Sequence, residues 1–230
     1  MPKHLERELE KLKRRILSLG AKVEERLRMA IKAIETRDGN LANQVIEADH
    51  EIDEMEVDIE EECLKVLALH QPVAIDLRFI IAVIKINSDL ERIGDLAVNI
   101  AERAAFLASK RKLDILFDFS GMAEKSQSMV KKSLDALVNM DNRLAWEVCA
   151  SDDEVDAMNR DMFIQVQNRI RKNINRMECL IHLLSASRHL ERVADHATNI
   201  AQDVVYMIEG TIIRHHPETF QAIIKRDSEE

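Results

Sequence analysis

Residues that break helices are scarce in this chain of 230 residues, which contains five glycines, three prolines and only 3% aromatic residues. With so few breakers, the abundant Leu, Ile, Ala, Glu, Lys and Arg favour long α-helices. The sequence also has no glycine-rich phosphate loop and no Gly-x-Ser-x-Gly elbow. These absences argue against a nucleotide-hydrolysing P-loop protein and against a serine hydrolase, and we expect no enzymatic activity.

Long apolar runs and clustered cysteines are missing as well. The longest apolar run, Phe79–Ile84, stops at Lys85, far short of the length that spans a bilayer. The amino-terminal segment is charged, unlike a signal peptide. Cys63, Cys149 and Cys179 are widely spaced and odd in number. They are therefore interpreted as reduced, mostly buried thiols of a cytoplasmic protein.

The chain lacks positive charge, since its formal net charge is −9. A nucleic-acid surface would need a basic stripe, so the charge argues against such a partner. It is compatible with cation binding. It also argues against direct binding of phosphate, unless a metal ion bridges the two.

The feature that is present is an internal duplication. Leu90–Ala101 returns one hundred residues later as Leu190–Ala201, and Asp49–Met55 matches Asp152–Met158 at an offset of 103. The three-residue difference falls in the connection around Pro72, where insertions are tolerated. The repeating unit is therefore three helices, present twice.

The predicted fold is all-α, with two tandem three-helix bundles and six long antiparallel helices. The apolar stripes of the third and sixth helices, which advance in alternating steps of four and three residues, predict coiled-coil-like packing. Residues 1–111 are expected to form the first bundle and residues 112–215 the second. Residues 216–230 form a short tail, whose Phe220, Ile223 and Ile224 could cap the bundle. The predicted helices run over about 3–38, 41–69, 72–108, 121–140, 144–172 and 175–210.

Each repeat carries two pairs of acids, spaced four residues apart, so that each pair shares a helix face. In an antiparallel hairpin, residues equidistant from the turn lie side by side, and the turns are expected at Pro72 and at Asn173–Ile174. This rule brings the two pairs of each repeat to one level, in an open groove beside the core. The predicted quartets are Asp49, Asp53, Glu91 and Asp95 in the first repeat, and Asp152, Asp156, Glu191 and Asp195 in the second.

Four crowded carboxylates repel one another, at a cost of about 4 kcal/mol for a partly screened pair at ~4 Å. A bound cation would remove that cost, and hard oxygen ligands suit Mg, Ca, Mn and Fe, with Zn also considered. Asn99 and Asn199 are secondary candidates that could add amide oxygens. His50 and His196, adjacent to the acids, could add ring nitrogens.

Three alternatives stay open. The paired acids could be ordinary solvated surface whose charge is partly neutralised by Arg92 and Arg192. The acidic stretch Glu56–Glu62 is expected to be solvated helix surface of this kind. The chain could be a purely structural helical interaction module. It could also be a carboxylate-bridged metal storage or oxidase protein, although that chemistry uses Glu-x-x-His on two helices and only Glu47-x-x-His50 fits.

The two signatures, Asp89–Asp95 and Leu190–Ala201, together with Gln71–Arg78, resemble the PhoU family of phosphate-transport accessory proteins. The resemblance covers nearly the whole chain. It implies two three-helix bundles, a dimer, and a role in restraining phosphate uptake and the phosphate-starvation response. The implied partners are the ATPase of the phosphate ABC transporter and the sensor histidine kinase.

The resemblance also implies a metal at each acid quartet, with Fe, Zn, Mn and Mg as the candidates. The first repeat has Gly94-Asp95-Leu96 where the second has Ala194-Asp195-His196, so the two sites could differ in affinity. The predicted function is accordingly a metal-binding, non-catalytic regulatory adaptor in phosphate homeostasis.

Overall fold

The structure, a computed structural model, describes residues 3–110 and 119–213, and within these ranges the regular structure is helical. Seven α-helices and one short 3₁₀ turn, Ile174–Arg176, make up the described part of the chain. The α-helices are α1 (Lys3–Thr36), α2 (Gly39–Glu47), α3 (His50–His70), α4 (Ile75–Ala108), α5 (Phe119–Asn139), α6 (Asn142–Lys172) and α7 (Met177–Glu209).

The predicted all-α fold is confirmed, with one difference in the helix pattern. The second predicted helix is divided into α2 and α3 by a turn at Ala48–Asp49, whereas its counterpart α6 is continuous. No glycine or proline marks the break. At the break the amides of Glu51 and Ile52 bond to carbonyls three residues back. Asp49 therefore lies at a helix junction.

The duplication is visible in local backbone structure at the first connection of each repeat. Arg37 and Met140, one offset of 103 apart, both adopt positive φ, at 59° and 51°. The next residue is an N-cap in each case: Asp38 accepts the amides of Asn40 and Leu41, and Asp141 accepts the amide of Leu144. Such caps satisfy amides at a helix start that have no partner within the helix. The same short sequence signal therefore produces the same turn twice.

The core is centred on α4 and α7, the third helices of the two repeats. α4 packs against α1, α2, α3 and α7, and α7 packs against α4, α5 and α6. The apolar stripes predicted for these helices are buried, including Leu90, Ile93, Leu190 and Val193 with no exposed surface. Burying such side chains is the main source of stability for amphipathic helices.

The α4–α7 contact, which we call the seam, runs antiparallel and joins the two repeats. Near one end Lys85 contacts Asp203. Toward the other end Phe106 stacks on His182, with the two ring centroids 3.7 Å apart. Because each helix is the counterpart of the other, the seam has an approximate twofold relation centred near Gly94 and Ala194. The bundles are therefore packed on each other along two of their longest helices.

The division at residues 111 and 112 stays a prediction, since residues 111–118 lie outside the described ranges. The tail 216–230, with Phe220, Ile223 and Ile224, lies outside them too. Within the described residues, none of the helices combines the length and the apolar character that crossing a bilayer requires.

Candidate functional site

The register of the two hairpins is fixed by hydrogen bonds that cross them. The Asn87 amide donates to the Glu56 carbonyl at 2.8 Å, and these residues are equidistant from Gln71–Pro72. In the second repeat the Ser187 hydroxyl donates to Asn159 Oδ1 at 3.0 Å, and this pair is equidistant from Asn173. Both hairpins therefore turn where the sequence predicted, and the acid pairs face each other.

A small residue brings the helices together at the level of the first quartet. Gly94 lies between Glu91 and Asp95, and a Cβ on it would be 3.1 Å from two atoms of Ile52 on α3. Val155 and Ala194, the corresponding residues of the second repeat, are both buried. Compared with Ile52 and Gly94, Val155 has one methyl group fewer and Ala194 has one more. The total side-chain volume of the contact is therefore the same in both repeats.

The first quartet shows the electrostatic strain that was expected of crowded carboxylates. Desolvation, followed by repulsion from Asp53 and Asp95, raises the pKa of Asp49. Desolvation and Asp95, with a smaller contribution from Asp53, raise the pKa of Glu91. Each helix therefore feels the acids of the other. Asp53 is exposed, whereas Asp49, Glu91 and Asp95 are half-buried, which places the cluster in an open groove.

The first quartet has one ion-paired cation and one further acid. Arg92 lies 3.5 Å from Glu91 and 3.3 Å from Asp95, so it neutralises part of the charge. Glu56, which was expected at the solvated surface, is half-buried beside this group. Its pKa is raised by desolvation and then by Glu60 and Asp53. Glu56 is therefore only partly solvated, and it lies close enough to Asp53 and Arg92 for both charges to act on it.

The second quartet is more strongly perturbed. Desolvation and the charge of Asp195 raise the pKa of Asp152 to about 6. Desolvation is also the leading cause that raises the pKa of Glu191 and of Asp195, with Asp156 repelling both. The four acids therefore influence one another across α6 and α7, as the hairpin rule predicted.

More neighbours offset the charge in the second repeat. The Thr198 hydroxyl donates to Asp152 at 3.3 Å, and Arg160 lies 3.2 Å from Asp156. Arg192 lowers the pKa of both Glu191 and Asp195. Thr198 was missed from the sequence, since the first repeat has Val98 at that position and the repeat comparison gave no signal.

The secondary candidates lie in three different settings. His50 is exposed at the start of α3, near enough to lower the pKa of Asp49. The Asn99 amide donates to the backbone carbonyl of Asp95 at 2.7 Å. His196 and Asn199 instead reach across the seam to Asp89, at 2.8 and 3.2 Å.

Asp89 was not selected from the sequence, although it begins the first signature. Its counterpart in the second repeat is His189, so an acid at this position is not shared by the two repeats. With 14% of its side chain exposed, Asp89 accepts from two residues of the other repeat. It is a cross-repeat anchor that a comparison of repeats cannot find.

The acids are side by side but do not form a closed cage. In residues 3–110 and 119–213 no three His, Cys, Asp or Glu side chains are gathered closely enough to hold a metal ion. The donor atoms are carboxylate oxygens, which suit hard cations, and their raised pKa values reflect repulsion that a cation would relieve. The eight acids thus fit a cation chemically, and metal binding stays a prediction.

Comparisons with known proteins agree on one family. The family model described as "PhoU domain" matches residues 16–104 and 119–204. The chain is 36% identical over 209 residues to a "Phosphate-specific transport system accessory protein PhoU homolog" of Clostridium acetobutylicum, covering 90% of this chain and 95% of that one. It is 38% identical to "PhoU homolog 1" of Thermotoga maritima, covering 90% of each.

Two solved structures are similar throughout the fold. The "PhoU from Pseudomonas aeruginosa" superposes with a TM-score of 0.87 at 36% identity, covering 90% of this chain and 99% of that one. The "phosphate transport system regulatory protein PhoU from Streptococcus pneumoniae" gives a TM-score of 0.82 at 29% identity, covering 90% and 98%. The helices that carry the acids therefore belong to an architecture that both solved structures share.

Proposed function

This chain belongs to the PhoU family, and from that premise we propose that it is a metal-binding regulatory adaptor of phosphate homeostasis. Its relatives are named as accessory proteins of the phosphate-specific transport system. The proposed role is negative regulation of phosphate uptake and of phosphate-starvation signalling. The protein would act in the cytoplasm, as a homodimer, without catalysing a reaction.

The observation that carries the metal proposal is the mutual perturbation of the acids across each hairpin. The raised pKa values of Asp49 and Glu91, and of Asp152 and Asp195, mean that neighbouring charges and desolvation disfavour the ionised carboxylates. A divalent cation would stabilise the ionised forms, so binding of the metal and folding of the groove are coupled. The metal candidates are Mg, Mn, Fe and Zn.

The proposed partners are the ATPase of the phosphate ABC transporter and the sensor histidine kinase. An adaptor changes the state of a partner only if it binds two states with different affinity. In this proposal, metal bound in the grooves fixes the docking surface in a form that binds the phosphate-replete state of the partner more tightly than the starved state. Loss of metal would lower that preference and release the starvation response.

The metal-storage or oxidase alternative is weakened by the helix break. Glu47 ends α2 and His50 begins α3, so the one Glu-x-x-His match is divided between two helices, and both residues are exposed. A di-metal oxidase needs these residues on one inward face. Oxygen-dependent turnover of ferrous iron by the purified protein would support this alternative instead.

The experiment compares three double variants for Mn²⁺ binding by calorimetry and for metal content by elemental analysis. Glu91→Gln with Asp95→Asn tests the first groove, and the same changes at Glu191 and Asp195 test the second. Each should weaken binding at its own site by at least tenfold. Glu54→Gln with Asp58→Asn, an exposed pair of the same spacing on α3, is the charge-matched control.

Unchanged affinity in both groove variants would refute the metal assignment. The adaptor proposal is tested separately by co-purification of the transporter ATPase and the kinase from the same organism. Both should bind the metal-loaded protein better than the metal-free protein. Equal binding of loaded and metal-free protein would refute the coupling between metal and partner.

A further inference from the structure

The turn of the second hairpin exposes apolar side chains. It connects α6 to α7 through the short 3₁₀ turn Ile174–Arg176. Ile174 is 63% exposed, and Met177 and Ile181, in the first turns of α7, are 41% and 50% exposed. Exposed apolar residues scattered singly are ordinary, whereas a group of them around one turn forms a patch that requires an explanation. We call the exposed surface of residues 169–181 the second tip.

Cations surround these apolar side chains. The stretch from residue 169 to residue 176 contains no acid and four cations, which are Arg169, Arg171, Lys172 and Arg176. Arg171 and Lys172 are exposed, and the other two are partly exposed. The ion pairs formed within residues 3–110 and 119–213 include none of the four, and the acid that follows them, Glu178, pairs with Lys110 at 3.2 Å. The second tip is therefore positively charged, on a chain whose formal net charge is −9.

The turn of the first hairpin separates apolar exposure from positive charge. Leu69, Val73 and Ile75 are even more exposed than the apolar residues of the second tip. The corresponding stretch, residues 66–76, contains no lysine or arginine and has one acid, Asp76. Both turns are thus apolar, but only the second one combines apolar side chains with a group of cations.

The second tip projects beyond the helix that covers the rest of α7. Three cross-seam contacts share one register, in which each step forward on α4 is matched by one step back on α7; they are Lys85 with Asp203, Phe106 with His182, and Lys110 with Glu178. In this register Ala108, the last residue of α4, is level with Leu180. Met177 and the turn before it therefore lie past the end of α4.

The shape and the charge of the second tip together indicate the kind of surface it fits. An amphipathic helix of a partner protein docks in a groove, whereas the second tip is a projecting turn. A nucleic acid would match the cations but would leave Ile174 and Met177 without an apolar partner. The boundary between the headgroups and the acyl chains of an anionic bilayer accepts apolar side chains and also attracts basic residues.

We propose that the second tip binds the surface of a lipid bilayer that contains anionic lipids. Ile174 and Met177 enter the boundary between headgroups and acyl chains, and Arg171 and Lys172 lie among the negatively charged headgroups. The contact is peripheral, because only side chains of a turn take part. It does not involve the acid grooves, since Glu191 lies ten residues from Ile181, about 15 Å along α7.

The test is co-sedimentation of the full chain with phosphatidylcholine vesicles that contain about 30% phosphatidylglycerol, in comparison with pure phosphatidylcholine vesicles. EDTA in the buffer prevents a divalent cation from bridging the acid grooves to lipid phosphates. We expect the wild type to bind the anionic vesicles at least tenfold more tightly than the neutral ones. Raising the salt from about 0.1 M to about 1 M should release it, because salt screens exposed charges.

Two double variants test the two components of the second tip. Arg171→Gln with Lys172→Gln should weaken binding about 25-fold, because each basic residue near an anionic surface contributes about fivefold. Ile174→Ser with Met177→Ser leaves the charge unchanged and should weaken binding about tenfold. All four side chains are exposed, so the fold should be retained, and circular dichroism checks this.

The chain offers a matched control for each variant. Arg28→Gln with Lys32→Gln removes two exposed cations of α1, and Leu69→Ser with Ile75→Ser removes two exposed apolar residues of the first hairpin turn. Both controls should bind anionic vesicles as the wild type does. Control variants that lose as much affinity as the second-tip variants would overturn the proposal.

Hydrogen exchange on the unmutated protein gives a readout that needs no variant. Amides of residues 174–178 should exchange more slowly when anionic vesicles are added, and those of residues 73–77 should not change. Absence of binding that depends on phosphatidylglycerol would overturn the proposal and would assign the second tip to an acidic segment of a partner protein instead. Because the assay runs without metal, this outcome is separate from success or failure of the metal proposal.

Discussion

The contact between Ile52 and Gly94 allows a quantitative test of how each groove is built. Gly94→Ala should gain about 1 kcal/mol of helix stability, because glycine is a poor residue in a helix interior. The new Cβ would lie 3.1 Å from both Cδ1 and Cγ2 of Ile52, however. Overpacking of this kind costs about 1–3 kcal/mol, so the single variant should be up to about 2 kcal/mol less stable.

The second change removes one of the two crowded atoms. Ile52→Val deletes Cδ1 and alone should cost about 0.5–1.5 kcal/mol, because it leaves a small cavity. In the double variant the same deletion makes room for the new Cβ. The pair then matches the second repeat, which has Val155 and Ala194, both buried. We expect the double variant to be more stable than the sum of the single changes by about 1 kcal/mol.

The assay is urea denaturation followed by far-UV circular dichroism on the wild type, both single variants and the double variant. With an m-value of about 1–3 kcal/mol per molar urea, a difference of 1 kcal/mol moves the urea midpoint by about 0.3–1 M. The reciprocal cycle, Val155→Ile with Ala194→Gly, is the matched control and should show coupling of the same sign. If the single effects add within about 0.3–0.5 kcal/mol, the volume-exchange explanation is wrong.

Two further predictions concern charge. The pKa of Asp152 is about 6 in the fold, above its unfolded value, so the native state binds the proton more tightly. Its stabilising contribution is therefore fully present below about pH 4 and is lost as the pH rises through 6. Asp152→Asn should flatten this part of the pH dependence of unfolding, and an unchanged slope would contradict the assignment. At the seam, Asp89→Ala removes the acceptor of His196 and Asn199 and should lower the free energy of unfolding by about 1–3 kcal/mol. Glu35→Ala on the exposed face of α1 should stay within about 0.5 kcal/mol of the wild type, and equal effects of the two changes would contradict the role of Asp89.

The fold was predictable because its signals are local and repeated. Few residues interrupt the helices, so each turn signal, such as Asp38 or Asp141, marks a boundary without competition. The hairpin register followed from the position of Pro72, since two long helices joined by a short turn have one antiparallel alignment. The acid pairs face each other across each hairpin as this alignment implies, although no three of them lie close enough together, within the described residues, to hold a metal ion.

Features without a local sequence signal were not predictable. No residue type near Ala48–Asp49 signals the helix break, which divides the predicted second helix. His196 adjoins its own acid quartet, where it lowers the pKa of Asp195, but its hydrogen bond goes to Asp89 of the other repeat, which no pattern within one repeat indicates. A periodic pattern gives the buried face of a helix but not the identity of the element that covers it.

The seam also has a consequence for pairing between copies of the same half, because its charged contacts are not repeated at the two ends. If two first repeats paired along α4 in the same antiparallel register, Lys85 would lie opposite Arg103, and two cations would meet where the intact chain has Lys85 against Asp203. Two second repeats would place Asp203 opposite Ser185 and leave that carboxylate without its lysine. The residues that differ between the repeats at these positions therefore make the two halves complementary in charge, and they disfavour association of a half with its own copy.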